Sequence, residues 1–265
     1  MNSCVEPLTA AQIRQFYEIG YTLVDGVFGE QELNTIEAAL DRLKEEANEF
    51  NGTVMHRGSQ FVVEQKKSNG FECAQIKRIV WCGAAEPNLL QLGRDPRLTY
   101  MAGQLLGSRQ ANHLINQIHF KFPHDGVFFP FHQDSRHRGY GSPHWSDANG
   151  KGSYVQIVMA IDELTMENGP MYFVPGSCKL GHLDMPYDEK SPTVSPHFDR
   201  AEAVPALMKP GSVVLFGPYV IHGSLPNESE KSRRVFINGF AYPGANSRKY
   251  PGDGSGLLID VPCLG

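Results

Sequence analysis

The sequence predicts an α+β protein in which helices come first and an antiparallel double sheet of the jelly-roll kind follows. Apolar residues recur at helical spacing within the first fifty positions and again over 95–106. From residue 111 onward the chain changes to short segments rich in β-branched and aromatic residues, bounded by Gly and Pro. No helical stretches alternate with those segments, which disfavours a parallel doubly wound sheet.

Taken in order, Thr9 is placed to cap a helix carrying Ile13, Phe16, Tyr17 and Ile19, and Gly20 stops it. A short strand over Tyr21–Val24 follows. Over 30–50, Leu33, Ile36, Leu40, Leu43 and Ala47 recur at intervals of three and four, the pattern of an amphipathic helix lying on something flat. Leu98, Met101, Leu105 and Leu106 mark a third helix over 95–106, closed by Gly107. Strands are expected near 114–122, 153–161, 171–174, 212–216 and 234–242. The stretches 139–152 and 184–203, dense in Pro, Ser, Gly and charge, read as long loops of the sort that cover active sites. The expected organisation is a single domain, with a helical part over about 1–110 and a jelly-roll core over about 111–245.

Composition narrows the function. The chain has 265 residues and 41% hydrophobic content, enough for a buried core. A formal charge of −5 argues against nucleic acid as the chief partner. No apolar run approaches the roughly 20 residues of a membrane helix, and residues 1–12 lack a signal-like segment. Five cysteines, odd in number and never spaced C-x-x-C, fit reduced thiols in a cytoplasmic protein. The sequence names no oligomeric partner. The serine-hydrolase elbow, the Walker loop, the dinucleotide-binding glycine pattern and the zincin helix motif are all missing.

What remains is histidine chemistry. Three His-x-Asp tripeptides occur, at His132-Gln133-Asp134, His182-Leu183-Asp184 and His197-Phe198-Asp199. Only the first follows an aromatic, strand-like run, where residues two apart share a face and can share one ion. The other two sit in Pro-rich loop sequence and read as solvated. His222, at the end of a later apolar stretch, supplies a third ligand. Two imidazoles and one carboxylate leave open coordination positions that suit Fe(II) and oxygen chemistry better than a closed structural zinc. Arg233 and Arg234 follow, either as a surface pair or with one guanidinium gripping a distal carboxylate.

At this point the residues resemble the phytanoyl-CoA dioxygenase family. The run His132-Gln133-Asp134, the stretch 160–170, Val174-Pro175-Gly176-Ser177, His222-Gly223-Ser224 and Arg233-Arg234 match it in order and spacing, and Leu8-Thr9 through Tyr21 resembles its opening. The resemblance implies a double-stranded β-helix core and an Fe(II)-dependent enzyme. It also implies 2-oxoglutarate as a co-substrate decarboxylated to succinate, while one atom of O2 enters an aliphatic C–H bond of a small molecule. By position it implies His132, Asp134 and His222 as iron ligands, Arg233 as the grip on the far carboxylate of 2-oxoglutarate, and Ser224 and Gln156 as its helpers. Arg234 then points to the opposite face of its strand. Halogenases of the family carry Gly or Ala where Asp134 stands, so the chain looks like a hydroxylase. Gln117 occupies a strand on which similar ectoine hydroxylases place a substrate-contacting glutamine, but Arg138 replaces their aromatic residue. Arg136, His137 and Arg138 are either a basic mouth that favours an anionic substrate or a solvated turn. The rival reading is a jelly-roll metal-binding protein or cupin-like isomerase, which has no need of Arg233.

Overall fold

The computed structural model describes residues 8–68, 71–185 and 198–262. Thr9 caps α1 (Ala10–Ile19): its hydroxyl accepts from the Gln12 N–H, the Gln12 side chain accepts from the Thr9 N–H, and Gly20 ends the helix at φ 95°. β1 (Tyr21–Val24) and α2 (Glu30–Ala47) follow as expected, α2 ending three residues short of the predicted limit. Next come β2 (Val54–His56), β3 (Ser59–Ser68) and β4 (Phe71–Val80), then the short helices α3 (Cys82–Ala85) and α4 (Pro87–Gly93). Asp95 caps α5 (Pro96–Leu106), and Gly107 closes it at φ 67°.

The second half is strand-rich. It comprises β5 (Gln110–Lys121), β6 (Phe129–His132), the single turn α6 (Asp134–His137), β7 (Tyr154–Ala160) and β8 (Met171–Phe173). After these come β9 (Val204–Ala206), β10 (Val213–Phe216), β11 (His222–Ser224), β12 (Arg233–Ala241) and β13 (Leu257–Asp260).

Among the described residues these strands form two antiparallel sheets. The larger runs β1-β10-β7-β12-β5-β4-β3-β2, with β13 added beside β5, and the smaller runs β6-β11-β8-β9. Side-chain alternation gives the large sheet two buried faces. Val155, Ile157, Met159, Val213, Leu215 and Phe236 point to one side, where Phe16 of α1, Ile36 and Leu40 of α2, and Leu98 of α5 cover them. Ile36 and Leu40 are fully buried, each contributing about 2 kcal/mol of hydrophobic stabilisation. The alternate residues Val158, Val214, Phe216, Val235 and Ile237 face the small sheet and pack with Phe173 of β8 and Ala206 of β9. Among the described residues no helix is long and apolar enough to cross a membrane.

One expectation needs correction. The stretch 54–80, placed in the helical part, instead forms three strands that extend the large sheet. A bulge between Val62 and Val63 breaks the two-residue period of β3, and charged residues stud both long strands, so the strand signal is blurred in sequence. Arg234 faces outward as expected. Its Nε and Nη2 donate to the two oxygens of Asp162 at 2.8 and 2.7 Å, and Nη2 also reaches Glu37 of α2 at 2.8 Å. This fork ties β12, the end of β7 and α2 together. Arg234→Ala is therefore expected to lower unfolding free energy by about 2 kcal/mol, the worth of a charge-assisted hydrogen-bond pair. Urea denaturation followed by circular dichroism measures it, and an unchanged midpoint would remove the tie from the stability account.

Candidate active site

His132 ends β6 and His222 begins β11, and the two are register partners across the antiparallel pair. Their ring centroids lie 4.4 Å apart. Each imidazole is anchored in the same way: Nδ1 of His132 lies 2.7 Å from the Pro130 carbonyl, and Nδ1 of His222 lies 3.1 Å from the Val220 carbonyl. A carbonyl only accepts, so each Nδ1 carries a proton and Nε2 is the ring nitrogen turned to the site. Both Nε2 atoms face Asp134 Oδ1, at 3.7 and 3.8 Å.

Asp134 opens the single turn α6 and is buried, and its Oδ2 has no hydrogen-bond partner. One ligand atom from each of the three residues falls within 4.8 Å of the others, the one such group found among the described residues. Burial alone would raise the Asp134 carboxyl, but the contact with His132 and the charges of His222, His132 and His137 hold it below the usual carboxylate range. Burial pushes His222 down to about 4, and the neighbouring His132 adds to that. A cation bound here would take the imidazoles in their neutral form and the carboxylate ionised.

The three residues line a cavity of about 150 Å3 between the sheets. At one end stand Arg233 and Lys121, register partners on β12 and β5, and both are buried. Arg233 donates to the Gly169 carbonyl at 2.5 Å while its Nε lacks a partner. Lys121 donates to Ser224 Oγ at 2.7 Å and to the carbonyls of Leu225 and Gly169. Burial lowers both cations, Arg233 to about 10, and the charge of Arg233 depresses Lys121 further. Nearby acids are engaged elsewhere, Asp125 with Lys77 and Asp162 with Arg234. Among the described residues neither side chain is ion-paired with a carboxylate; Lys121 gives its three N–H groups to neutral oxygens, and Arg233, with its free Nε, is the one of the two that lines the cavity.

The remaining expected residues separate into three groups. Gln117 and Gln156 both line the cavity: the Oε1 of Gln117 is buried without a partner, and that of Gln156 accepts from the Tyr154 hydroxyl. Ser224 lines it too and carries Lys121. The basic mouth is not formed as expected. Arg136 is exposed and donates to the Met185 carbonyl at 2.5 Å, His137 turns inward to 4.9 Å from the His132 ring, and Arg138 is 1% exposed. The helical turn of α6 explains this, because residues three and four positions after Asp134 return to its side of the turn while Arg136 points away.

Of the other His-x-Asp pairs, His182 stacks on Tyr140 at 4.0 Å and contacts Ser135 Oγ, outside the cavity lining. His197 lies outside the described residues. Sequence reasoning missed Lys121, the exposed Arg78, and His119, which stacks on Phe129 and is pushed down to about 3 by burial and then by the charge of Arg78. A signal for two of them is present: Gln117, His119 and Lys121 are polar at intervals of two, separated by the apolar Ile118 and Phe120, so they share one face of the strand.

Comparison with known proteins places this arrangement. A family model described as phytanoyl-CoA dioxygenase (PhyH) matches residues 16–235. An L-proline trans-4-hydroxylase from Streptomyces griseoviridis is 29% identical over 182 residues, a match covering 61% of this chain and 66% of that enzyme. Among solved structures, EvdO2 from Micromonospora carbonacea var. aurantiaca complexed with 2-oxoglutarate superposes with a TM-score of 0.69 at 20% identity, covering 93% of this chain and 96% of that one. EctD from S. alaskensis with bound Fe gives 0.67 at 22% identity, covering 94% and 82%. At those identities the two structures speak to the fold, while the family match runs from α1 through the start of β12 and takes in His132, Asp134, His222 and Arg233. The chain belongs to the phytanoyl-CoA dioxygenase family.

Proposed function

We propose that this chain is an Fe(II)- and 2-oxoglutarate-dependent dioxygenase that hydroxylates an aliphatic C–H bond of a small molecule, releasing succinate and CO2. Its two facing sheets are read as a double-stranded β-helix, or jelly roll, within a single domain. The unpaired thiols Cys82 and Cys178 support a cytoplasmic setting.

The carrying observation is the convergence of His132, Asp134 and His222 on one point of a buried cavity at whose far end stands Arg233, with Lys121 behind it. The donor set fits the metal. Two imidazole nitrogens and one carboxylate are the protein ligands of non-haem iron oxygenases, and the orphaned Asp134 Oδ2 together with the two Nε2 lone pairs are the atoms a cation would satisfy. The chemistry supplied by a bound iron(II) is oxidation, in which 2-oxoglutarate is decarboxylated to succinate and one oxygen atom of O2 enters the substrate. The rest falls to the protein. Arg233 would receive the distal carboxylate, with Lys121 behind it holding Ser224 in place, and Gln156 lines the same cavity. Ile115, Val158, Val235 and Ile237 give the walls an apolar surface that keeps water from the reacting bond. A simple metal-binding jelly roll or cupin-like isomerase has no use for two buried cations at that end.

The purified chain is expected to bind one Fe(II) and to consume 2-oxoglutarate slowly even without substrate. His132→Ala, Asp134→Ala and His222→Ala should each lose the metal, measured by elemental analysis after dialysis, while keeping the wild-type circular dichroism spectrum. Retention of metal by all three variants would refute the ligand assignment. Arg233→Ala should raise the apparent constant for 2-oxoglutarate by about tenfold or more, because a bidentate grip on a carboxylate is lost. Arg234→Ala should change it by no more than about twofold, since its guanidinium serves Asp162 and Glu37. The opposite ranking would assign the co-substrate to the wrong arginine.

A further inference from the structure

The second buried guanidinium beside this cavity has no role in the reading above. Arg138 is 1% exposed, and both its Nη1 and Nη2 lack hydrogen-bond partners. Among the described residues no carboxylate forms an ion pair with it. Its surroundings are aromatic: the guanidinium carbon lies 4.2 Å from the ring centroid of Tyr250 and 5.6 Å from that of Tyr154. Tyr250 is a wall of the cavity, and Tyr154 donates to Gln156, which is another. His137, the neighbour of Arg138 in sequence, lines the same cavity.

Ring faces attract a cation, but they accept no hydrogen bonds along the edge of the guanidinium. They return only part of what removal from water costs. Tyr154 is itself positioned by Gln156 and cannot serve as the counter-ion, because burial raises its phenol well above the ordinary value. Arg138 sits behind the wall made by His137 and Tyr250, and a group with two acceptor oxygens spaced for a fork would satisfy both of its nitrogens.

We infer that the primary substrate carries a compact oxyanion, a carboxylate or a phosphonate, and that Arg138 recognises it at the Tyr250 end of the cavity. The inference rests on the reading of this cavity as a dioxygenase site and adds the substrate class to it. The co-substrate's carboxylate and the substrate's oxyanion then have separate receptors, Arg233 with Lys121 on β12 and β5, and Arg138 beyond the end of α6. Recognition is by contact rather than by attraction from a charged mouth, so salt screens it less than it would an exposed pair.

Calorimetric titration of the full chain with propionate, methylphosphonate and the neutral isostere propionamide tests this, each run with and without iron(II) and 2-oxoglutarate under anaerobic conditions. At least one oxyanion is expected to bind one site per chain, propionamide is not, and the tighter oxyanion identifies the group. Arg138→Gln should weaken that binding at least about tenfold in the chain saturated with iron(II) and 2-oxoglutarate, where Arg233 is already occupied. The inference is overturned if neither oxyanion binds, if propionamide binds equally, or if the site is kept in Arg138→Gln. Should Arg138→Gln fail to fold, a crystal structure of the wild type with the tighter oxyanion decides: the anion lies against Arg138 or the inference is wrong. Failure to bind iron(II) or to consume 2-oxoglutarate would instead remove the dioxygenase reading and leave the oxyanion titration standing.

Discussion

The pairing of His132 with His222 across β6 and β11 brings together two residues ninety positions apart in the chain and sets where everything else in the cavity must lie. A slip of one residue in that register would send one imidazole to the opposite face of the small sheet. Several contacts hold it. His222 is packed against Phe216 of the large sheet at 4.5 Å and against Phe173 of β8 at 5.8 Å. Between His222 and Ser224 stands Gly223, where a Cβ would come within 2.9 Å of the Phe129 carbonyl and 3.1 Å of Phe131 Cα, so only glycine allows β6 to approach this closely. The register shift just after His222 then turns Ser224 to meet Lys121 on the other sheet.

The same logic of facing pairs explains the electrostatics. Arg233 opposes Lys121, and Arg78 opposes His119, so the β4-β5-β12 part of the large sheet concentrates positive charge at one end of the cavity. Burying cations this way costs free energy that the apolar packing on both faces of the sheet must offset. The apolar walls Ile115, Val158, Val235 and Ile237 line the same cavity as Arg233 and the His132, Asp134 and His222 triad. Arg234 shows the contrast: one residue further along β12 it points the other way, is fully paired, and does structural work.

Much of this was legible in the sequence, for reasons that can be named. The Thr9 cap, the Gly20 and Gly107 stops and the helical periodicity of α2 and α5 are local signals, and they appear within a few residues of their predicted limits. His132 and Asp134 were separable from the other His-x-Asp pairs because an apolar strand leads into them. What was lost depends on distant partners or on small departures from regular geometry. The bulge in β3 hides the hairpin over 59–80, and the single turn of α6 moves Arg138 from an expected surface position into the interior. In sequence Lys121 is one strand residue among many, since only its pairing with Arg233 and its hydrogen bond to Ser224 on the other sheet set it apart.

The central claim is that one buried centre joins a metal held by His132, Asp134 and His222 to a dicarboxylate held by the cations behind it. Anaerobic titration with 2-oxoglutarate of the Fe(II)-loaded chain, the metal-free chain and Lys121→Met tests that joint directly. The account predicts one molecule bound per chain, with affinity that falls when the metal is removed and falls again when the ammonium is lost. Binding that ignores both the metal and Lys121 would contradict it.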